Sequence, residues 1–228
     1  MKTFGTTAAV AIALLSAPAA FAQDTSPFAG GYVGVQAGLA QVDSAHSDLD
    51  YWYYAAQNQS KKDSGVQAGV KAGYDVVSGA LIAGVLAEVN VGKVNSFAEV
   101  TPEDPSYAIG TKATMLGSAR AKLGFTSGNL AAFATGGLAF SNAKHKYRET
   151  DGSGEYFDGK GDRSGYVLGF GAAYAVSKNA SIGLDISRYQ FGSRTRDLRD
   201  SDGEIITDAR WRLKDRIETV AVSYNLHF

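Results

Sequence analysis

The chain has 228 residues, 45% of them hydrophobic, with 22 Lys and Arg against 23 Asp and Glu and a formal net charge of −1. That balance gives no electrostatic case for nucleic acid, and the absence of cysteine excludes disulfide staples, thiol catalysis and cysteine-ligated metal. Glycine (27), tyrosine (12) and phenylalanine (11) are abundant and proline (4) is scarce, which suits closely packed strands better than helices.

The chain opens on Lys2, an apolar run from Ala8 to Leu15, and the small-x-small sequence Ala20-Phe21-Ala22. A basic start, an apolar middle and such a cleavage site describe a secretory signal peptide over residues 1–22, leaving 23–228 as one exported domain. The apolar run is shorter than the ~20 residues that a bilayer-spanning helix needs.

From Gly31 to Val42, Val33, Val35, Ala37 and Leu39 alternate with Gly34, Gln36 and Gly38, and this period of two predicts a first strand. In 64–76, Val66, Ala68, Val70, Ala72 and Tyr74 alternate with Gln67, Gly69, Lys71, Gly73 and Asp75. In 81–92, Val85, Ala87, Val89 and Val91 stand against Leu86, Glu88 and Asn90. In 113–126, Ala119, Ala121, Leu123 and Phe125 oppose Ser118, Arg120, Lys122 and Gly124. Residues 130–141 continue the pattern, and in 164–176 Leu168, Phe170, Ala172 and Tyr174 oppose Gly169, Gly171 and Ala173. Residues 180–191 set Ile182, Leu184 and Ile186 against Gly183, Asp185 and Ser187. An eighth strand runs from about Trp211 to Phe228, with Val220, Val222, Tyr224, Leu226 and Phe228 on one parity.

Strands two to three, four to five and six to seven are joined by tight turns at Val77-Ser78-Gly79, Ser127-Gly128-Asn129 and Ser177-Lys178-Asn179. The other connections, 43–63, 93–112, 142–163 and 192–210, are long and polar. Short and long alternate, so a meander collects the short turns at one end and the long loops at the other. The predicted fold is all-β: an eight-stranded antiparallel up-and-down transmembrane β-barrel with short periplasmic turns and long extracellular loops.

In such a barrel the apolar parity faces lipid, whereas a soluble ligand-binding barrel turns it inward. The polar parity carries Lys71, Glu88, Arg120, Lys122 and Asp185, which are expected to pair in the lumen. Aromatics are expected in two interfacial belts. One holds Tyr32, Tyr74, Phe125, Tyr174, Tyr224 and Phe228, the other Phe140, Tyr166, Tyr189 and Trp211. The last strand is expected to pair with the first, because hydrocarbon tolerates no open sheet edge.

The signal segment together with GGYVGVQAG, GSARAKLGF, ATGGLAF, GFGAAYAVSKNASIGLDISRYQFG and the terminal VSYNLHF resembles the small outer-membrane β-barrel family of Gram-negative bacteria. Within it the likeness is to alphaproteobacterial surface proteins of porin-like or OmpA type, and it covers Gln23 to Phe228 apart from the long loops. The resemblance implies residence in the cell outer membrane, contact with its lipid and lipopolysaccharide, and a last strand whose Tyr224, Leu226 and Phe228 signal to the barrel-assembly machinery. The expected role is structural, in envelope integrity and surface interaction through four long loops, with no enzymatic activity and no cofactor. The alternatives are a narrow porin for small solutes, a lipid A-modifying barrel enzyme and a secreted soluble ligand-binding barrel.

A hydrolytic barrel would need a base beside a nucleophile, and Ser223 with His227, which share a parity, form the best such pair. His46 and His145 fall in or beside the long loops. DGSGEYFDGKGD (151–162) and RDLRDSDGE (196–204) are acidic and glycine-rich but lack the ligand spacing of a calcium loop. Arg194, Arg196, Arg199, Arg210 and Arg212 suit the phosphates of lipopolysaccharide, with Asp197, Asp200, Asp202 and Asp208 as competing internal partners. YWYY at 51–54 is an aromatic patch that is either adhesive or folded onto the barrel rim.

Overall fold

The computed structural model of the protein describes residues 26–48, 59–101, 104–149, 156–199 and 205–228. The signal segment, the YWYY patch and the stretches 102–103, 150–155 and 200–204 lie outside the described residues. Alternation of branched and aromatic residues with small or polar ones gives strands throughout. They are β1 (Gly30–Asp48), β2 (Gln59–Ser78), β3 (Leu81–Thr101), β4 (Asp104–Ser127) and β5 (Leu130–Glu149), then β6 (Tyr156–Ser177), β7 (Ala180–Phe191), β8 (Arg194–Arg199) and β9 (Ile205–His227).

Every strand is antiparallel to its neighbours, and the sheet closes on itself because β1 pairs with β2 on one side and β9 on the other. After Gly192 and Ser193, β8 continues the line of β7 along the outer part of β9, so nine segments form eight staves. At the seam, Gly31 N donates to Phe228 O at 3.1 Å and Phe228 N donates to Gly31 O at 2.9 Å. The short turns form as their residues dictate: Gly79 and Gly128 adopt φ of 59° and 58°, the left-handed region that tight hairpins use and a Cβ would strain.

The apolar parity faces outward on every stave. Val70 is 60% exposed, Leu123 64% and Phe170 73%. A belt of this extent is stable only against hydrocarbon, which removes the soluble barrel with an apolar interior. On four neighbouring staves the belt ends at matching register positions. Its outward residues give way to Gln41 on β1, Ser64 on β2, Arg188 on β7 and Glu218 on β9. Gln41 stands opposite both Ser64 and Glu218 in the register, and Arg188 stands opposite Glu218. From Phe228 to Glu218 the strand advances ten residues. At ~3.3 Å per residue and a tilt of about 40° this gives roughly 25 Å, the height of an outer-membrane apolar band.

Phe125, Tyr174, Tyr224 and Phe228 are exposed toward the short-turn end, and Phe140 and Tyr166 toward the other. Two expected belt residues are elsewhere: Tyr32 and Tyr189 lie inside the barrel, 4% and 1% exposed. Parity explains both, since Tyr32 alternates with Val33 and shares the face of Gly34 and Gln36, and Tyr189 shares the face of Asp185 and Ser187. The side chain of Trp211 is outside the described residues.

The long connections hold more strand than their sequence suggested. β1 and β2 pair out to His46↔Gln59, and β5 and β6 out to Arg148↔Tyr156. The stretch 192–210 contains β8, and β9 begins at Ile205 rather than near Trp211. Beyond the membrane, water reaches the outer face of a strand, so the apolar alternation fades while backbone pairing continues. If hydrocarbon covers the belt, Val70→Arg is expected to cost about 2–4 kcal/mol and Gln41→Arg about 0–1 kcal/mol. Equilibrium urea unfolding from lipid vesicles measures both; equal costs would contradict the placement of the band.

Candidate functional site

The inward parity builds the site, and strand pairing decides which polar groups meet. Glu88 on β3 is the hub of the middle layer. Its Oε1 accepts from the Arg120 guanidinium of β4, from Tyr189 OH of β7 at 2.5 Å and from Ser118 Oγ at 3.2 Å. Its Oε2 accepts from Gln36 Nε2 of β1 at 3.2 Å, and the same amide nitrogen donates to Asn90 Oδ1 at 2.6 Å. Arg120 also donates through Nε to Ser118 Oγ at 2.8 Å, through Nη1 to Ser187 Oγ at 2.7 Å, and through Nη2 to Tyr189 OH. The guanidinium carbon lies 5.2 Å from the Tyr189 ring centroid. Four staves are therefore tied across the lumen by one buried carboxylate.

Toward the short-turn end, two ion pairs form the next layer: Lys71–Asp185 at 2.9 Å, from β2 to β7, and Lys122–Asp75 at 2.5 Å, from β4 to β2. Lys122 Nζ also sits 4.7 Å from the Tyr32 ring and 4.8 Å from the Phe133 ring. Three cations thus meet three carboxylates, and a further buried cation, Arg163 of β6, lies on the inward parity opposite Ser141. Glycines opposite the large side chains make this filling possible. A Cβ on Gly73 would lie 2.5 Å from the Tyr32 ring, and one on Gly84 would collide with Asp75 Oδ1.

Apolar layers bound the charges on both sides. Below them Phe28 folds under the barrel against Val77, Ile82, Ala131, Ala173 and Ala175. Above them lie Val42, Leu116, Val167, Tyr189, Phe191 and Ile217. Leu116 shares the inward parity of Ser118 and Arg120, and the register between β4 and β5 shifts just beyond it, between Ala113 and Leu116. The cavity among Phe28, Tyr32, Asp75, Lys122 and His227 is about 20 Å³, room for one water.

Ser223 and His227, the candidate nucleophile and base, face the lumen but do not pair. His227 Nε2 lies 2.9 Å from Ser181 Oγ on β7, while Ser223 Oγ accepts from Asn225 Nδ2 at 3.4 Å. His227 Nδ1 has no hydrogen-bond partner, so no carboxylate orients the ring. Instead the imidazole packs edge-on to Phe28, with centroids 6.1 Å apart, and beside Tyr32 at 5.6 Å. Parity alone could not choose between Ser223 on the same strand and Ser181 on the neighbouring one.

Tyr224, Leu226 and Phe228 face outward at the end of the seam. Of the five arginines singled out in the sequence, Arg194, Arg196 and Arg199 lie on β8 opposite Leu213, Trp211 and Ile205. Arg210 stands opposite Asp197, and Arg212, the one of the five whose side chain is described, is exposed opposite Thr195. Tyr189 and Ser187, which complete the Glu88–Arg120 network, were missing from the expected interior cluster although their parity with Asp185 marks them as inward.

A closed barrel, greasy outside and ion-paired within, defines an integral outer-membrane β-barrel protein. The sequence matches the family described as outer membrane protein beta-barrel domain over residues 7–225, and the chain belongs to that family. It is similar to the 31 kDa outer-membrane immunogenic proteins of Brucella melitensis and Brucella suis, 29% identical over 231 residues, covering 93% of this chain and 89% of each relative. Its fold is similar to that of the outer membrane protein OprG from Pseudomonas aeruginosa, with TM-score 0.55 and 13% identity over 90% of this chain and 99% of that one. It is also similar in fold to the outer membrane protease OmpT from Escherichia coli, with TM-score 0.54 and 10% identity over 87% and 97% of the two chains. The protein resides in the outer membrane of a Gram-negative cell.

Removing one partner of a buried ion pair strands the other, whereas removing both does not. Glu88→Ala is therefore expected to destabilise the barrel by about 3–5 kcal/mol, and the double variant Glu88→Leu/Arg120→Met to recover most of that loss. Urea titration in detergent, followed by the gel shift between folded and unfolded barrel, measures the cycle; additive losses would show that the two side chains act independently.

Proposed function

We propose that this protein is a structural wall element of the outer membrane, with a sealed lumen and surface interactions carried by its four outer hairpins. The filled lumen carries this reading. Neutral ion pairs lie between two apolar layers, and the void between the charges and Phe28 holds about one water. A hydrated ion crossing it would have to break buried pairs or shed its water in an apolar layer. The separation of Ser223 from His227 favours a structural over a hydrolytic role.

Two features support the surface part of the proposal. β1 with β2 and β5 with β6 extend as paired hairpins past the apolar band, presenting ordered backbone to the exterior. The Brucella relatives, described as immunogenic outer-membrane proteins, are consistent with display at the cell surface. The outward Tyr224, Leu226 and Phe228 at the seam offer the assembly machinery an aromatic, apolar strand end.

The mature protein, refolded and added to planar lipid bilayers, is expected to give no porin-sized current steps. Deleting its gene is expected to raise sensitivity to detergent, and returning the wild-type gene to restore resistance. Porin-sized steps from the purified wild-type barrel would replace the wall reading with that of a channel.

A further inference from the structure

Just above the apolar band, the outer face of β7 and β9 carries three arginines: Arg188, Arg216 and Arg212. Arg188 is fixed by Glu218, its cross-strand neighbour, at 2.7 Å, with 62% of its side chain exposed. Arg216 follows Glu218 on the same face, opposite Gln190 of β7 and Asp43 of β1. Its Nε is buried and has no hydrogen-bond acceptor. Arg212 is exposed one further pair of positions along the same parity past Lys214, opposite Thr195 of β8 and Ser47 of β1. At the edge of the band the outward residues of other staves are neutral: Gln41 on β1, Ser64 on β2 and Ser164 on β6.

We propose that Arg188 and Arg216 hold a phosphate of an outer-leaflet lipid headgroup, with Arg212 as a second cation farther from the membrane. The positions fit the chemistry. Residues diagonal across an antiparallel pair are about 7–8 Å apart, close enough for one phosphate to lie between two guanidinium forks. Glu218 already pairs with Arg188, so the open demand is at Arg216, whose unmatched buried N–H is costly until an acceptor reaches it. The residues stand where the acyl chains end, which is the level of the phosphates of a lipid whose tails cover the belt below. Glu218 takes one edge of Arg188 and leaves the rest of that guanidinium free for a second acceptor. This site differs from the five-arginine cluster read in the sequence: it is centred on Arg188 and Arg216 and retains only Arg212. It rests on the placement in the membrane and is independent of whether the lumen is sealed.

The test uses the full mature protein refolded in neutral detergent, titrated with diphosphoryl lipid A, with enzymatically dephosphorylated lipid A and with phosphatidylcholine. Each variant is first checked for the folded-barrel gel shift, so binding is read on folded protein only. Arg216→Ala is expected to weaken diphosphoryl lipid A binding about fivefold and Arg188→Ala/Arg216→Ala about 25-fold, from roughly 1 kcal/mol per cation at an anionic headgroup. Arg216→Lys should recover part of the loss, because an ammonium cannot make the two-pronged contact. Glu218→Gln should bind at least as well as wild type, and Lys178→Ala, at a turn on the opposite side of the membrane, should bind equally well. Dephosphorylated lipid A, which has no phosphate, and phosphatidylcholine, whose phosphate is neutralised by its choline, should both bind more weakly than diphosphoryl lipid A. Equal binding of the dephosphorylated form would overturn the proposal. Wild-type affinity in the double variant would overturn the proposal, and so would an equal loss in Lys178→Ala, since that would mean net charge rather than a site. A conducting lumen in bilayers would leave this result untouched.

Discussion

Hydrocarbon offers a peptide group nothing to hydrogen-bond with, and every other feature of this protein follows from that constraint. A strand crossing the membrane must have a partner on each side, so the sheet has to meet itself. The joint between β1 and β9 is therefore as necessary as any hairpin, although its strands lie at opposite ends of the chain. Gly31 and Phe228 make the last reciprocal bonds of that seam. The period-two alternation then sorts the side chains without further help, one parity to lipid and the other to the interior.

Closing only eight staves leaves little room inside, and the interior is solved by pairing size as well as charge. Large polar side chains sit opposite glycines, as Tyr32 does against Gly73 and Asp75 against Gly84, so each occupies space that a second side chain would have taken. Two of the three ion pairs, Lys71–Asp185 and Lys122–Asp75, join staves that backbone bonding does not bring together. Lys71 reaches from β2 to Asp185 on β7, and Glu88 gathers groups from β1, β4 and β7. Once buried, these charges are held in place by the cost of leaving any of them alone. Apolar layers at both ends keep water from relieving that cost, so the same arrangement holds the charges in register and fills the lumen.

The chain also has two regimes along its height. Within the membrane the outer face is dictated by lipid. Beyond it the staves continue as hairpins whose outer faces are free to carry other chemistry, beginning with the arginine row on β7 and β9. In this outer part a change of side chain does not compromise the solvation of the belt, which is where the proposed surface contacts are placed.

Much of this was legible in the residues. The alternation, the spacing of turns and the mid-strand charges gave the eight staves, their order, and five of the charged residues that face inward, with Asp75 and Arg163 left out of that cluster. Those features are local, since parity and turn chemistry are properties of a few consecutive residues. The same parity, followed to the end of each strand, also marks Tyr32 and Tyr189 as interior. Three things required the assembled barrel. Strand ends beyond the membrane were hidden because water on the outer face removes the apolar signal while the backbone pairing remains. The partner of each buried charge was hidden because pairing depends on stagger between strands that are far apart in sequence, as with Glu88 and Tyr189. The choice of Ser181 rather than Ser223 beside His227 had the same origin. Sequence by itself determined which face each residue takes; only closure of the cylinder decided which residues meet across it, because that depends on the register of strands around the whole circumference.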